Sequence, residues 1–380
     1  MAGTKRVWRI ATVDAANIEQ ERKREFVRRA IKKFRLNLEG LTVFTEAATG
    51  NYKYTPIIAA LAGAKHVFAF TANSKYGEKE EVKKQTLKEA EEIGVTNKLS
   101  VIFDKDASCL CKSDIITNSG FVRPITREMI SFMKPTAVIP LMWETWEFRP
   151  EDLDLTACEE KGILVMGTDE HHPSLNLFRS IGFKICKLLF DAGFSVYQDN
   201  LLLVASGDYG DSIADFFINN GISFDRLVLD NRASQRQESF IRTHEEVIRH
   251  LGKYEVLIVA EMYNNVDILS AQGLIPTGLL RRVNPLIQII FVCGAVGSDD
   301  IAKEGLAMYP PDVTPFGHIR ISAEYLGWKP TLELITAGLR VGEVMVRSRL
   351  LGMSTSETIS VALRNSPAQA FEEGSFDTSE

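Results

Sequence analysis

The sequence predicts an α/β protein built on two parallel sheets, each covered by helices on both faces. Three observations carry this. Apolar runs of strand length alternate with helical patterns along nearly the whole chain, the order a doubly wound sheet needs. The alternation is interrupted once, at "DEHHPSLNLFRSIGFKICKLLFDAGF" from Asp169, where a single long helix separates two alternating series. The length of 380 residues suits two or three cores, not one.

Read in order, "VWRIATVD" (7–14) predicts a strand and "IEQERKREFVRRAIKKF" (18–34) a helix. "LTVFTEA" is a strand, "YTPIIAALAGA" a helix, "HVFAFTA" a strand, and "KEEVKKQTLKEAEEIG" a helix stopped by Gly94. "LSVIFD", "DIITNS" and "TAVIPLM" are strands, with "TREMISFM" helical between the last two. The second series runs "LLLVAS" strand, "DSIADFFINNG" helix, "DRLVLD" strand, "SFIRTHEEVIRHLG" helix, "YEVLIVAE" strand, "IPTGLLRRV" helix and "IQIIFVCG" strand. A long helix, "PTLELITAGLRVGEVMVRSRLLG", follows "PPDVTPFGH". These patterns place a first domain at 1–175 and a second at 195–315, with helices of 316–355 returning to the first and a frayed polar tail at 370–380.

Composition narrows the function classes. The chain is 45% hydrophobic and 25% charged, with a net charge of −6, which argues against nucleic acid as the main partner. The basic run "KREFVRRAIKKFR" is interleaved with apolar residues at helical spacing and reads as one solvated helix face. Five cysteines without a secretion-like leader predict a reducing, cytoplasmic setting. Cys109 and Cys111 form a C-x-C pair with no matching Cys/His pair, so no metal site is expected. No apolar run is long enough to cross a membrane. The apolar C-terminal helix makes a homodimer the expected assembly.

The stretch "LLLVASGDYGDSIADFF" carries the main motif. A strand runs into Ala205-Ser-Gly207-Asp-Tyr-Gly210, a degenerate form of the G-x-G-x-x-G turn, and then into a helix. In such a Rossmann-like turn the glycines allow tight bending and close approach of backbone to a pyrophosphate at the helix N-terminus. Asp230 ends the next strand, 20 residues after Gly210, where an acid binds ribose hydroxyls and favours NAD over NADP. Asp208 and Asp211 bracket the turn and would repel a pyrophosphate unless they point away. A bound dinucleotide, another nucleotide-like ligand and an empty Rossmann shape therefore all stay open. Tyr209 lies inside the turn, and Glu261, Asn264, Gly294 and Gly297 end later strands of the same series, where they would line a cofactor.

Other strand ends offer substrate-binding chemistry. "TEAATGNYKYTP" puts Glu46, Lys53 and Tyr54 after a strand, as a substrate-facing loop, a second nucleotide site or a plain turn. Lys53 or Tyr54 would donate to an anion. "TNSGFVRP" offers Asn118, Ser119 and Arg123, and Arg123 suits a carboxylate. "MWETWEFRP" sets Trp143 and Trp146 around Glu144, a pattern for a cationic or ring-bearing ligand or for simple packing. His171 and His172 stand beside Asp169 and Glu170 at the break between the two series.

The layout resembles the D-2-hydroxyacid dehydrogenase superfamily, with S-adenosylhomocysteine hydrolase as a related neighbour. The segment holding Asp154, Ala157, Gly162, Ile163 and Val165 is similar to that superfamily's D-x-A-x-x-x-G-I-x-V, and "DVTPFGH" to its T-P-H return at Thr314, Pro315 and His318. The likeness covers residues 114–345. It implies a flavodoxin-like catalytic domain, an NAD domain and a cleft between them. It also implies an Arg that grips the substrate carboxylate and a His that moves the hydroxyl proton. Here Cys293, Gly294, Ala295 and Val296 stand where that Arg belongs, the His is displaced by two residues, and the segment for its acid is short.

The expectation that follows is an NAD(P)-dependent oxidoreductase acting on a small polar or carboxylate-bearing metabolite. His318, Arg123, Lys53 and Glu144 are its catalytic candidates, and Gly207, Asp208, Tyr209, Gly210, Asp230, Glu261 and Gly294 its cofactor-binding ones. An enzyme with tightly held NAD and no net redox change is one alternative, and a non-catalytic nucleotide-binding or scaffold protein another.

Overall fold

Strands covered on both faces are apolar at every position, and Thr42–Glu46 (β1) and Val256–Ala260 (β10) are buried throughout their length. The computed structural model describes residues 15–175, 177–229 and 239–371. The chain divides into two units, 1–175 with 328–380, and 176–327.

In the first unit, β1, β2 (His66–Phe70), β3 (Leu99–Ile102), β4 (Ile115–Ile116), β5 (Val138–Pro140), β6 (Leu164–Thr168) and β15 (Ala368–Gln369) form one sheet in the order β15-β6-β5-β4-β1-β2-β3. Helices α1 (Ala15–Phe34), α2 (Tyr54–Leu61), α3 (Lys79–Ile93), α4 (Ala107–Leu110), α5 (Arg127–Phe132) and α6 (Leu155–Lys161) fill the connections. Gly94 ends α3 in the left-handed region at φ 81°, a conformation that favours glycine. The chain runs outward from β1 to β3, then crosses to β4 on the other side. Chain order therefore reverses between β1 and β4, the place where open α/β sheets hold ligands.

The second unit repeats the plan. Helix α7 (Arg179–Asp191) leads into β7 (Leu201–Val204), α8 (Gly207–Asn219), β8 (Phe224–Leu227), β9 (Ile241–Arg242), α9 (His244–Arg249) and β10. Then come β11 (Asp267–Leu269), α10 (Thr277–Val283), β12 (Gln288–Cys293), β13 (Ala295–Val296), α11 (Ser298–Lys303) and β14 (Ala307–Tyr309). The main sheet runs β14-β12-β10-β7-β8-β9, all parallel, with its reversal between β7 and β10. Helices α12 (Trp328–Leu350) and α13 (Thr355–Asn365) return to the first unit.

The structure corrects several expectations. The second unit extends to 176–327, beyond the expected 195–315. Ile181, Ile185, Leu188 and Leu189 of α7 are part of its core, and the Arg320 N–H donates to Val292 O of β12, so both flanks belong to it. "SFIRTHEEVIRHLG" is not one helix. Ile241 and Arg242 pair with β8, and Thr243 and Glu246 form a capping box that starts α9 only at His244. The first sheet is not wholly parallel, because β15 runs antiparallel to β6. The expected strand at 7–14 and most of the expected tail lie outside the described residues. The apolar length of α12 is used within its own unit. Leu332, Leu339, Val341, Met345 and Val346 join the first core, which removes that helix as the reason to expect a dimer. No helix among the described residues is long and apolar enough to cross a membrane.

Candidate functional site

Each unit gathers its candidates at its own chain reversal. In the second unit the turn after β7 reaches Gly207 at φ 55°, and α8 begins there. Helix geometry leaves the first N–H groups of α8 without partners inside the helix, at the end where the dipole favours an anion. A Cβ at Gly207 would lie 2.5 Å from Cε2 of Tyr263, whose ring comes from the loop after β10. Glu261 holds that loop. It is fully buried, and its Oε1 accepts the N–H groups of Tyr263 (2.9 Å) and Asn264 (3.0 Å). Its Oε2 is buried with no partner, an acceptor left for a hydroxyl at this crevice.

The second glycine of the turn has an internal cause. A Cβ at Gly210 would sit 2.8 Å from Ala205 O and closer still to Nη2 of Arg226. Arg226, on β8, is 1% exposed. Its Nε donates to Ala205 O (2.9 Å), and its Nη1 pairs with Asp211 (2.6 Å). This ion pair answers half of the charge conflict read from the sequence, since Asp211 is neutralised while Asp208 is exposed. We expect Gly207→Ala to lower stability by about 1–2 kcal/mol and to displace Tyr263. Thermal melts with tyrosine-sensitive near-UV spectra check both effects, and an unchanged melt would contradict the packing of that ring.

Three cofactor expectations change. Tyr209 is buried and faces the core, with Phe178 at 6.2 Å between ring centroids and the Lys184 ammonium 5.5 Å above its ring. Gly294 (φ 124°) leaves space for Glu261 O, Ile268 and Val259, each 3.3 Å from where its Cβ would be, so strand packing accounts for it. Asp230 lies outside the described residues. His318 is in the second unit, exposed, in a turn where its N–H donates to Pro315 O (3.1 Å) and its carbonyl accepts from Thr314 Oγ1 (2.9 Å).

In the first unit Glu46 ends β1, and its Oε2 accepts the Phe121 N–H (3.0 Å) from the loop after β4. Burial raises its carboxyl above the usual range, against the backbone bond and the nearby Arg123 charge. Thr45, Thr117 and Ser119 link hydroxyl to hydroxyl across the reversal at 2.7 and 2.9 Å. The Arg123 guanidinium lies 4.6 Å over the Trp143 ring, and its Nη1 pairs with Asp152 (2.5 Å). Its Nε and the Nε1 of Trp143 are buried without partners. Asn118 is committed elsewhere, with its Oδ1 accepting the Met142 N–H (2.8 Å).

The loop after β5 adds an acid pair. Glu144 is buried and accepts the Trp146 indole N–H and the Glu170 N–H (3.1 Å). Burial raises its carboxyl, opposed by Trp146 and by the His171 charge. Glu147 keeps part of its surface open but is surrounded mostly by protein. That desolvation, followed by the Glu144 charge, raises it to about 7, against Arg149 and Arg123. Nδ1 of His172 accepts the Ser174 N–H (3.2 Å), so that ring nitrogen is the unprotonated one. Lys53 is placed differently from its expectation. Its ammonium is 3.5 Å from the buried Glu89 on α3, which Arg24 and Tyr54 also bind, so a helix-packing network holds it.

The sequence reading brought out Arg123, Trp143 and Glu144, which the structure sets together after neighbouring strands β4 and β5. It passed over Glu147, Asp152, Arg226 and Tyr263. Glu147 alone had a signal, a second acid three residues from Glu144 in the same aromatic run. Among the described residues no group of three or more His, Cys, Asp or Glu side chains is placed to hold a metal ion.

No family model matches the chain, and no curated protein matches it. Among solved structures, a dipicolinate synthase chain from Bacillus halodurans aligns with 84% of this chain and 100% of its own, at 13% identity and a TM-score of 0.51. A dipicolinate synthase chain from Bacillus subtilis covers 86% of this chain and 99% of its own, at 12% identity and the same TM-score of 0.51. D-lactate dehydrogenase from Lactobacillus jensenii, solved with NAD+, covers 81% of this chain and 97% of its own, at 10% identity and 0.45. D-2-hydroxyacid dehydrogenases thus stand among the structural neighbours at low identity, and the likeness is one of fold: an α/β chain with parallel sheets of Rossmann type.

Proposed function

We propose that the chain is an oxidoreductase that takes a nicotinamide dinucleotide at the second unit's turn and a small polar or carboxylate-bearing metabolite at the edge of the first sheet. The carrying observation is the turn itself. A glycine at φ 55° opens a 13-residue helix at the carboxyl end of β7, beside the chain reversal with β10. The residues present fit a pyrophosphate there. The glycine exposes backbone N–H groups, Arg226 cancels Asp211, and Glu261 keeps one buried oxygen for a ribose hydroxyl. A bound nicotinamide supplies acceptance and return of hydride. The fold shared with the two dipicolinate synthase structures supports the reading. In the first unit Arg123 orients the substrate and Glu147 holds or releases a proton near neutral pH, with Glu144 beside it. His318 is a second proton carrier under this reading. NAD is preferred to NADP on Asp230 alone.

One observation favours the redox-neutral alternative with retained NAD. Where the resemblance calls for a carboxylate-gripping Arg, Ala295 and Val296 form β13 and pair with β11, so no cation stands there. Denaturing the purified protein and weighing the released small molecules, beside thermal-shift titrations with NAD and NADP, tests both readings. A dinucleotide released or stabilising supports them. Bound nicotinamide that is never consumed selects the redox-neutral one. No dinucleotide in either measurement overturns both.

A further inference from the structure

Arg123 has an open side. In a guanidinium, Nε–H and Nη2–H share one edge, while Nη1 lies next to Cδ. Asp152 takes Nη1. Nε is buried without a partner, and no described residue accepts from Nη2. The edge left over is the two-donor fork that matches the two oxygens of a carboxylate.

The surroundings hold that fork in place. The Trp143 ring lies 4.6 Å beneath the guanidinium, and Asp152 fixes the opposite edge. The missing Cβ of Gly120 leaves a gap, since a side chain there would stand 3.4 Å from Glu46 Oε2 and 4.0 Å from Nη2 of Arg123. Trp143 offers a further buried, unpartnered N–H. All of this follows β1, β4 and β5, beside the chain reversal of the first sheet.

We propose that this edge is a carboxylate-binding site, with the Nε–Nη2 fork of Arg123 taking both carboxylate oxygens and Trp143 Nε1–H donating to another acceptor of the same ligand. This deepens the proposed function by naming its substrate class, and rests on it only for what happens to the ligand afterwards. An amide, ester or alcohol of the same shape lacks the charge and the matching pair of oxygens and binds poorly. Asp152 already balances Arg123, so an arriving carboxylate also meets Glu46, Glu144 and Glu147. These favour it when protonated, each being raised above the ordinary range. Arg149 and Arg123 face Glu147, and His171 and Asp169 face Glu144, within the same network. Binding is therefore accompanied by proton uptake and weakens as pH rises past about 7.

The test is calorimetric titration of the full chain with propanoate, succinate and benzoate, each beside its amide, at pH 6 and pH 8. We expect at least one acid to bind tenfold or more tightly than its amide, and more tightly at pH 6. Arg123→Lys keeps the charge, loses the fork, and should lose at least tenfold. Trp143→Phe keeps the ring, loses the N–H, and should lose several-fold. Should Arg123→Lys not fold, Trp143→Phe and the acid-to-amide ratio of the unaltered protein decide. Acids binding no better than amides, or both variants binding like the parent, overturns the proposal. A dinucleotide shift without acid preference sinks this site and leaves the oxidoreductase reading. Acid preference without a dinucleotide does the reverse.

Discussion

Replacing Arg226 with leucine is expected to destabilise the second unit by roughly 3–5 kcal/mol, a fall of about 10 °C in Tm for a unit of this size. Arg226 is among the largest fully buried side chains of the chain. Its guanidinium binds Ala205 O, Asp211 and, at 3.5 Å, Gly207 O. It therefore fastens β8 to both ends of the phosphate turn. Leucine fills only part of that volume and leaves Ala205 O without its charged donor. Asp211 is partly exposed and regains water, which keeps the loss toward the lower end. The same guanidinium explains why position 210 must be glycine. Gly210→Ala drives a Cβ into it and into Ala205 O, so that variant should lose comparable stability by a different route.

The pair supplies its own control. Each substitution acts on one contact, so Gly210→Ala with Arg226→Leu should cost clearly less than the two singles together. Strict additivity, or a Tm within about 2 °C of the parent for Arg226→Leu, would show that the turn is held some other way. Any dinucleotide-induced shift should vanish in Arg226→Leu, because both carbonyls that shape the turn lose their anchor.

What the sequence could show follows from how local each cause is. The strands and helices of both units stood out because a doubly covered strand is apolar throughout and a covering helix shows its own period. Val256–Ala260 and α3 with Gly94 are such cases. The break inside "SFIRTHEEVIRHLG" was also local. Thr243 and Glu246 are three residues apart and form a capping box, but the helical spacing around them hid it. The short β15 left no pattern, since two residues cannot show alternation. Sites behave differently again. Arg226 in "DRLVLD" looks like a surface charge, and its burial depends on Asp211 and Ala205, 15 and 21 residues away. Arg123 was legible as a cation at a strand end. Its open fork was not, because Asp152 sets it from 29 residues away. Tyr263 over Gly207 joins residues brought together only by the β7–β10 reversal.

Glu147→Gln should make the protein more stable at pH 8 and leave it nearly unchanged at pH 4.5. Desolvation first, then the charge of Glu144, lifts this carboxyl from an ordinary 4.5 to about 7. Below the ordinary range both the folded and the unfolded chain carry the proton. Between there and about 7 only the folded chain keeps it. The folded state therefore binds more protons across that window, and stability falls as pH rises through it. The fall has a ceiling of roughly 3 kcal/mol for this one group. Glu46 and Glu144, also raised, bend the curve in the same direction. A glutamine carries no proton to lose, so it removes the share owed to Glu147 and should gain several degrees of Tm over the parent at pH 8. Melts of parent and variant from pH 4.5 to 8 decide. Parallel curves would mean that Glu147 is ionised like any surface acid, and the first unit would then lack a proton carrier poised near neutral pH. A flattened curve would leave the acid in place for chemistry, at a stability cost above pH 7 that the parent chain retains.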